Sequence, residues 1–301
     1  MAKATFKENM KNLTLGDILT SFGQELTDEN LNINLQKSSL AYFPVEHPFR
    51  LDHFTIMVVD QGECKIKLNL VEYTLVKDDL MIVLPNTLGQ FIYLSDNLLL
   101  NVVSFTAKIL MTVGMDHQHI DSFNFLSAQY PGNLSISKKE SASIKDLMRL
   151  LEQKNRLMED YPFREEIVLN CFRLLLYEVS AIFKTNSLTV NHYSRREMIF
   201  HEFTKLLVQY LPENKTLQFY ADHLAITPNY LTKLTKTSTG KSAGVIIDEM
   251  LILQSKLLLH QMTLSIAEVS SLLFFTDQFI FSRFFRKLTG LSPSAYRKHR
   301  M

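Results

Sequence analysis

The stretch Thr276-Asp-Gln-Phe-Ile-Phe-Ser-Arg-Phe-Phe-Arg-Lys-Leu-Thr-Gly-Leu-Ser-Pro293 decides the fold. Thr276 or Asp277 can N-cap a helix, because a short side-chain oxygen there accepts a free backbone N–H. Gly290 can end that helix in a left-handed turn, and Pro293 argues against an early restart. Between these stops Phe281, Phe284, Phe285 and Leu288 recur at steps of three and four, which places them on one helical face. Gln278, Ser282, Arg283, Arg286 and Lys287 lie around the rest of the cylinder. A helix that is apolar behind and cationic in front, with amide and hydroxyl donors, suits a DNA major groove. An ordinary solvated surface helix carries the same pattern, so one copy does not decide between them.

The pattern occurs twice. Upstream stands Thr227-Pro-Asn-Tyr-Leu-Thr-Lys-Leu-Thr-Lys-Thr-Ser-Thr-Gly-Lys-Ser242. Leu231 matches Phe281, Thr232 matches Ser282, Lys233 matches Arg283, Leu234 matches Phe284 and Lys236 matches Arg286, each pair 50 residues apart. Thr239-Gly240 and Ser242 match Thr289-Gly290 and Ser292 at the same separation. Before these helices the separation is 49: Leu217 with Ile266, Ala221 with Ser270, Leu224 with Leu273, Ile226 with Phe275. Each set describes a short helix, a turn and a second helix, with one extra residue in the turn region of the second set. Two helix-turn-helix units in tandem, about 214–237 and 263–287, account for both separations.

These residues resemble the DNA-binding domain of AraC/XylS-type bacterial transcription regulators. The matching segments are 225–234, Thr239-Gly-Lys-Ser242, 264–269, 281–287 and 289–297, in the family's order and spacing. The resemblance covers 195–301, roughly a third of the chain. It departs from the family's pattern at Phe274, where the second turn usually holds Gly, and at Leu251 and Ser255, where the connecting helix usually holds Arg and Ala. The resemblance implies base contacts near Asn229, Tyr230, Thr232 and Lys233 with Lys236 on phosphate. In the second unit it implies Gln278, Phe279, Ser282 and Arg283 near bases, with Arg286 and Lys287 on phosphate. Double-stranded DNA is the expected partner, and RNA polymerase follows from the resemblance alone.

Composition agrees. The chain has 301 residues, enough for about two domains. Its net charge of +1 says nothing by itself. From Arg195 to Met301 there are 14 Lys and Arg against 8 Asp and Glu, and in the remainder 18 against 23. The basic excess therefore sits with the paired motif, as phosphate binding requires. Cys64 and Cys171 lie far apart in apolar patterns and read as buried free thiols of a reducing compartment. The N-terminus lacks the apolar core of a signal peptide, and no apolar run is long enough for a membrane span, so the expected location is cytoplasmic.

Between Ala41 and Phe105 the texture is β. Phe54–Val59 is a β-rich run ended by a turn at Gly62. Cys64, Ile66 and Leu68 alternate with Lys65, Lys67 and Asn69. Further short strands follow at 73–76, 80–84, 91–94 and 98–105, a spacing that suggests a small antiparallel barrel or sandwich. The family resemblance favours a cupin-like barrel over 1–137 that senses a small-molecule effector. Helical periodicity then covers a hairpin over 138–185. Ile144, Leu147, Leu150 and Leu151 mark its first helix; Ile167, Cys171, Leu174, Leu175 and Ile182 mark its second. The hairpin either caps the β domain or also forms a homodimer seam. A polar linker over 186–194 follows. The fold class is therefore α+β: an antiparallel β domain with a helical hairpin, then an all-α domain with two helix-turn-helix units.

Catalytic and cofactor motifs are wanting. Gly240-Lys-Ser242 mimics a phosphate loop, but the loop's earlier Gly is replaced by Thr235 and the motif follows a helix. His47 and His53 are isolated, and His117-Gln-His119 has no Glu in reach, so surface histidines are expected rather than a metal site. The expectation is a sequence-specific DNA-binding regulator without cofactor, metal or enzymatic activity. The alternative is a helical interaction module that does not read DNA.

Overall fold

A computed structural model describes residues 30–37, 48–113, 133–158, 160–187 and 195–298. The described residues up to Ser187 belong to one compact unit and those from Arg195 to another.

The first unit holds nine strands among its described residues: β1 (Leu31–Lys37), β2 (Pro48–Arg50), β3 (Phe54–Gln61), β4 (Glu63–Leu68), β5 (Val71–Val76), β6 (Asp79–Val83), β7 (Leu88–Leu94), β8 (Leu99–Phe105) and β9 (Asn133–Ser135). They form two antiparallel sheets, ordered β1-β8-β3-β6-β9 and β2-β7-β4-β5. Helix α1 (Ala107–Thr112) follows β8. The hairpin helices are α2 (Lys138–Asn155) and α3 (Arg164–Ser187).

Met57, Val59, Met81, Val83 and Leu100 of the first sheet face Cys64, Ile66, Leu68, Leu75 and Phe91 of the second across a shared core. The opposite face of the first sheet carries Ile56, Val58, Leu80, Ile82 and Val103, packed on Ile144, Met148 and Leu151 of α2 and on Phe172, Leu175 and Val179 of α3. Phe105 stacks on Phe54 and meets Phe172 edge-on. The first sheet is thus covered on both sides. That is why β3 reads as a continuous apolar run, while β4, in the sheet with one covered face, alternates.

The expected closed barrel is corrected to a pair of sheets, since no ladder joins them among the described residues. Strands β1, β2 and β9 went unread: β2 and β9 are only three residues long, whereas β1 alternates apolar and polar residues and was passed over. Leu150 and Leu174, expected inward, are exposed. The inward face of α3 is shifted by about one position, to Val168, Phe172, Leu175, Leu176 and Val179. Helix α3 continues through Asn186 and Ser187, so the first two residues of the expected linker are helical, and 188–194 lie outside the described residues.

A buried polar lock seats α2 on the sheet. Lys145 Nζ lies 2.7 Å from Asp60 Oδ1 and 3.2 Å from Asp78 Oδ1, and Ser141 Oγ also donates to Asp78. Burial alone would raise the Asp78 carboxyl, but the hydrogen bonds from Ser141 and Lys145 outweigh it and hold it below its ordinary value.

The second unit is all helix: α4 (Arg195–Tyr210), α5 (Leu217–His223), α6 (Pro228–Thr239), α7 (Ala243–Leu259), α8 (Ile266–Leu272), α9 (Gln278–Thr289) and α10 (Pro293–Lys298). Helix α7 packs on helices of both repeats. The repeat extends to the caps. Gly240 and Gly290 both adopt left-handed φ, 73° and 78°, and an added Cβ would meet nothing at either. Conformation rather than space therefore demands glycine there. Thr239 Oγ1 donates to Thr235 O, and Thr289 Oγ1 to Phe285 O. Ser242 caps α7, and its counterpart Ser292 caps α10. Pro293 does not delay the restart but occupies the first turn of α10, where its missing N–H costs nothing.

Candidate nucleic-acid interface

The two turns are superposable in their hydrogen bonding. In the first, Leu224, Ala225 and Ile226 donate to the carbonyls of Tyr220, Asp222 and Ala221. In the second, Leu273, Phe274 and Phe275 donate to Val269, Ser271 and Ser270, all shifted by 49. Both turns hinge on a left-handed residue that is not glycine: Ala225 at φ 52° and Phe274 at φ 51°. The αL turn is thus kept where Phe274 replaces the glycine of the family pattern, at some conformational cost. The separation changes from 49 to 50 between these turns and the N-caps, Thr227 and Asp277. Thr276 is the extra residue.

Asp277, not Thr276, caps α9. Its Oδ1 accepts from Phe279 N at 2.7 Å and Ile280 N at 2.8 Å. Thr227 Oγ1 caps α6 by accepting from Tyr230 N at 3.2 Å, and Pro228 takes the first helical position.

The backs of the two second helices are buried at matching places: Leu231, Leu234 and Thr235 in α6, Phe281 and Phe285 in α9. Phe281, Phe285 and Tyr296 join Leu251, Leu258, Val269 and Leu273 in one core. Phe284 is half-buried against Phe275, with ring centroids 5.2 Å apart. Leu288, expected on this buried face, is exposed.

The fronts are open. Asn229, Tyr230, Lys233 and Lys236 are exposed on α6, as are Gln278, Phe279, Arg283, Arg286 and Lys287 on α9; Thr232 and Ser282 are half-buried. Phe279 exposes 78% of its surface and Ile280 beside it 39%. Ile280 was missed as a surface residue; its partner at 50 residues is Tyr230. Lys287 is near enough to Asp248 on α7 for its charge to act on that carboxyl. Burial raises the Asp248 carboxyl and the Lys287 ammonium draws it back.

The departures in the connecting helix are packed inside. Leu251 is buried in the core of the second repeat, and Ser255 Oγ donates to Leu251 O at 2.7 Å. The position that holds Arg in the family pattern is here an apolar core position.

Sequence reasoning also missed Lys215. It precedes the Thr216 N-cap of α5, yet its Nζ donates to Phe274 O at 2.9 Å and stands 3.8 Å from the Phe275 ring centroid. Burial pushes its ammonium down to about 8, against the carbonyl and the ring face, which favour the charged form. A contact spanning 59 residues leaves no local signal.

Other expectations resolve as follows. His53 is buried, not a surface histidine: its Nδ1 lies 2.7 Å from Asp52 Oδ1, and burial lowers it more than Asp52 raises it. His47, His117 and His119 lie outside the described residues. Among the described residues no three His, Cys, Asp or Glu cluster as metal ligands. Cys64 is a buried free thiol pushed up to about 12, while Cys171 is free and only half-buried. Among the described residues no helix is long and apolar enough to cross a membrane.

Residues 220–299 match a protein family described as a helix-turn-helix domain. The arabinose operon regulatory protein of Escherichia coli (strain K12) is 39% identical over 77 residues, which is 26% of this chain and 26% of that protein. The raffinose operon transcriptional regulatory protein RafR of Pediococcus pentosaceus is 24% identical over 161 residues, 52% of this chain and 54% of that one. The matches therefore span about a quarter to a half of these relatives. The crystal structure of ToxT from Vibrio cholerae O395 aligns over 90% of this chain and 98% of its own, at 15% identity and a TM-score of 0.41, too loose to place any residue. The doubled turn, the repeated caps and the sequence matches agree: residues 220–299 form a helix-turn-helix domain, similar to part of the arabinose operon regulatory protein.

Proposed function

We propose that this chain is a sequence-specific DNA-binding transcription regulator and not an enzyme. The observation that carries the reading is the pairing of exposed fronts on helices with buried backs. Lys233 and Lys236 on α6 recur as Arg283 and Arg286 on α9, at the same places on helices with the same caps. Helices presented in this way enter adjacent major grooves by their N-terminal halves, about 34 Å apart along the duplex. Arg283 suits guanine O6 and N7, and Asn229 and Gln278 suit adenine. Phe279 and Ile280 are apolar groups held out in water at the tip of α9, and a thymine methyl is the base feature that would cover them. Arg286, Lys236 and Lys287 are assigned to phosphates, with Asp248 tempering the last.

The test is selection of binding sites from random duplex DNA with the full chain. A selected motif with two contact regions, bound with affinity that falls steeply with salt, is expected. Failure to enrich any sequence would favour the helical interaction module without DNA reading.

Effector control rests on Arg50. It lies between Phe49 and Leu51, which belong to the inter-sheet core, and is itself buried, with Nε and one terminal nitrogen unpaired. Burial pushes it down to about 10. A small anionic effector would relieve that cost. A homodimer seam is supported by Leu174 and Tyr177, three residues apart on α3 and half-exposed. Thermal shifts of the full chain with an anion panel and sedimentation of a Leu174→Glu variant test the two. No shift with any anion removes the first proposal; an unchanged sedimentation coefficient removes the second.

A further inference from the structure

The backbone of Lys215 belongs to the first helix-turn-helix unit. Tyr220, fully buried against Phe203, donates its hydroxyl to the carbonyl of the preceding residue, Asn214. That bond ties the entry to α5 to the core of the first repeat. The side chain of Lys215 works in the other repeat, on the carbonyl of Phe274 and over the ring of Phe275. Phe274 is the left-handed hinge of the second turn. The Phe275 ring in turn packs on Phe281 at 5.3 Å and Phe284 at 5.2 Å, both on α9. One side chain therefore runs from the first core to the base of the second reading helix.

The bridge has no counterpart. The residue 49 positions on from Lys215 is Leu264, which packs against the core of its own repeat. The connecting helix α7 already joins the repeats, packed on helices of both. Lys215 adds a second link, from a different part of the chain, that further restricts movement of one repeat against the other. A lysine loses rotamer freedom when it is ordered, and half-burial also weakens its hydration. Both costs are met here by a carbonyl and an aromatic face of the other repeat.

We propose that Lys215 is a positioning residue that fixes the separation of the two reading helices, and with it the operator spacing that the protein accepts. This rests on the DNA-binding reading above. A rigid pair of helices rejects a duplex in which one contact region is moved by a base pair, because each inserted pair also rotates that region about the axis. A loosened pair tolerates it.

The experiment uses the full chain and its selected site, with one base pair inserted or deleted between the two contact regions. Wild type is expected to lose at least about tenfold in affinity for either altered spacing, the equivalent of one lost base contact. Lys215→Met should shrink that discrimination to about two- to threefold, and Lys215→Arg, which can still donate to the carbonyl and stack on the ring, should restore it. Lys215→Leu, which likewise removes the donor and the charge, replaces the Met variant if that chain does not fold. Full spacing discrimination in the neutral variants overturns the proposal. So does equal weakening on every spacing with a salt slope reduced by about one, the signature of a phosphate contact. If wild type selects no DNA at all, it is the DNA-binding reading that fails, not this step alone.

Discussion

The two helix-turn-helix units share their backbone and differ in their side chains. Ala225 and Phe274 adopt the same left-handed conformation within the same set of hydrogen bonds, although one carries a methyl group and the other an aromatic ring. The first reading helix is backed by Leu231, Leu234 and Thr235, the second by Phe281 and Phe285. Thr227 with Pro228 starts one, and Asp277 with two accepted N–H groups starts the other. The scaffold is specified by caps, turn and burial pattern, and those survive exchange of nearly every side chain. What the duplication frees to vary is the tip: Asn229 and Tyr230 in one unit, Phe279 and Ile280 in the other. Two copies with polar and apolar tips would read different bases, and an asymmetric site follows.

The largest test of this contrast is in the cores. Phe281→Ala should destabilise the C-terminal unit by about 3–5 kcal/mol, and Leu231→Ala by about 2–4 kcal/mol, because the larger ring leaves the larger cavity. Urea unfolding of that unit's helical signal checks both; a costlier Leu231 variant would contradict the larger-cavity argument.

On the exposed face, Arg283→Ala should cost about 1–3 kcal/mol in binding and relax preference at one base pair, if it reads guanine. Lys233→Ala should relax a different base pair. Measured affinities on single-base variants of the selected site distinguish this from uniform weakening, which would move either residue to the phosphate group.

The caps differ more modestly. Asp277→Ala removes an oxygen accepting two N–H groups and should cost about 1–2 kcal/mol; Thr227→Ala removes one bond and should cost about 0.5–1 kcal/mol. Between the repeats, Gln254 on α7 is wholly buried with neither amide atom paired. Gln254→Met should therefore stabilise the unit by about 1 kcal/mol, measured by the same unfolding.

A last test is in pH. Lys215 titrates near 8 in the folded chain and near 10.5 unfolded. Between those values the unfolded chain binds more protons, so this group's contribution to stability rises as pH rises from 8 to 10.5. Lys215→Met should flatten that part of the stability profile, and an unchanged slope would show that its ammonium is not held back by burial.

The C-terminal unit was legible because every device in it is local. Caps, left-handed glycines and three-four spacing are all written within a dozen residues, and repetition at 49 and 50 made them specific. Even the extra residue could be assigned to the turn region, where it proves to be Thr276. The N-terminal unit was less legible because its deciding interactions are distant. Whether β4 and its neighbours close on the other sheet depends on edge strands: β2 and β9 are three residues long, too short to carry a pattern, and the alternation of β1 does not say which strand it pairs with. Helix α3 was turned by one position because Leu174 and Leu175 are indistinguishable to a periodicity argument, and only packing on Val103 and Phe105 selects between them. In the candidate site, the exposed cations could be read from spacing. Lys215 could not, because its partners lie 59 residues away, and the exposure of Leu288 runs against the spacing that sets it beside Phe281 and Phe285.

If the chain reads DNA as proposed, α6 and α9 dock on one face of a duplex, one turn apart. Hydroxyl-radical footprinting of the full chain on its selected site measures that directly. Two protected patches centred about 10–10.5 base pairs apart are predicted, with Lys233→Ala weakening one and Arg283→Ala the other. A single patch, or two patches that respond alike to both substitutions, would contradict it.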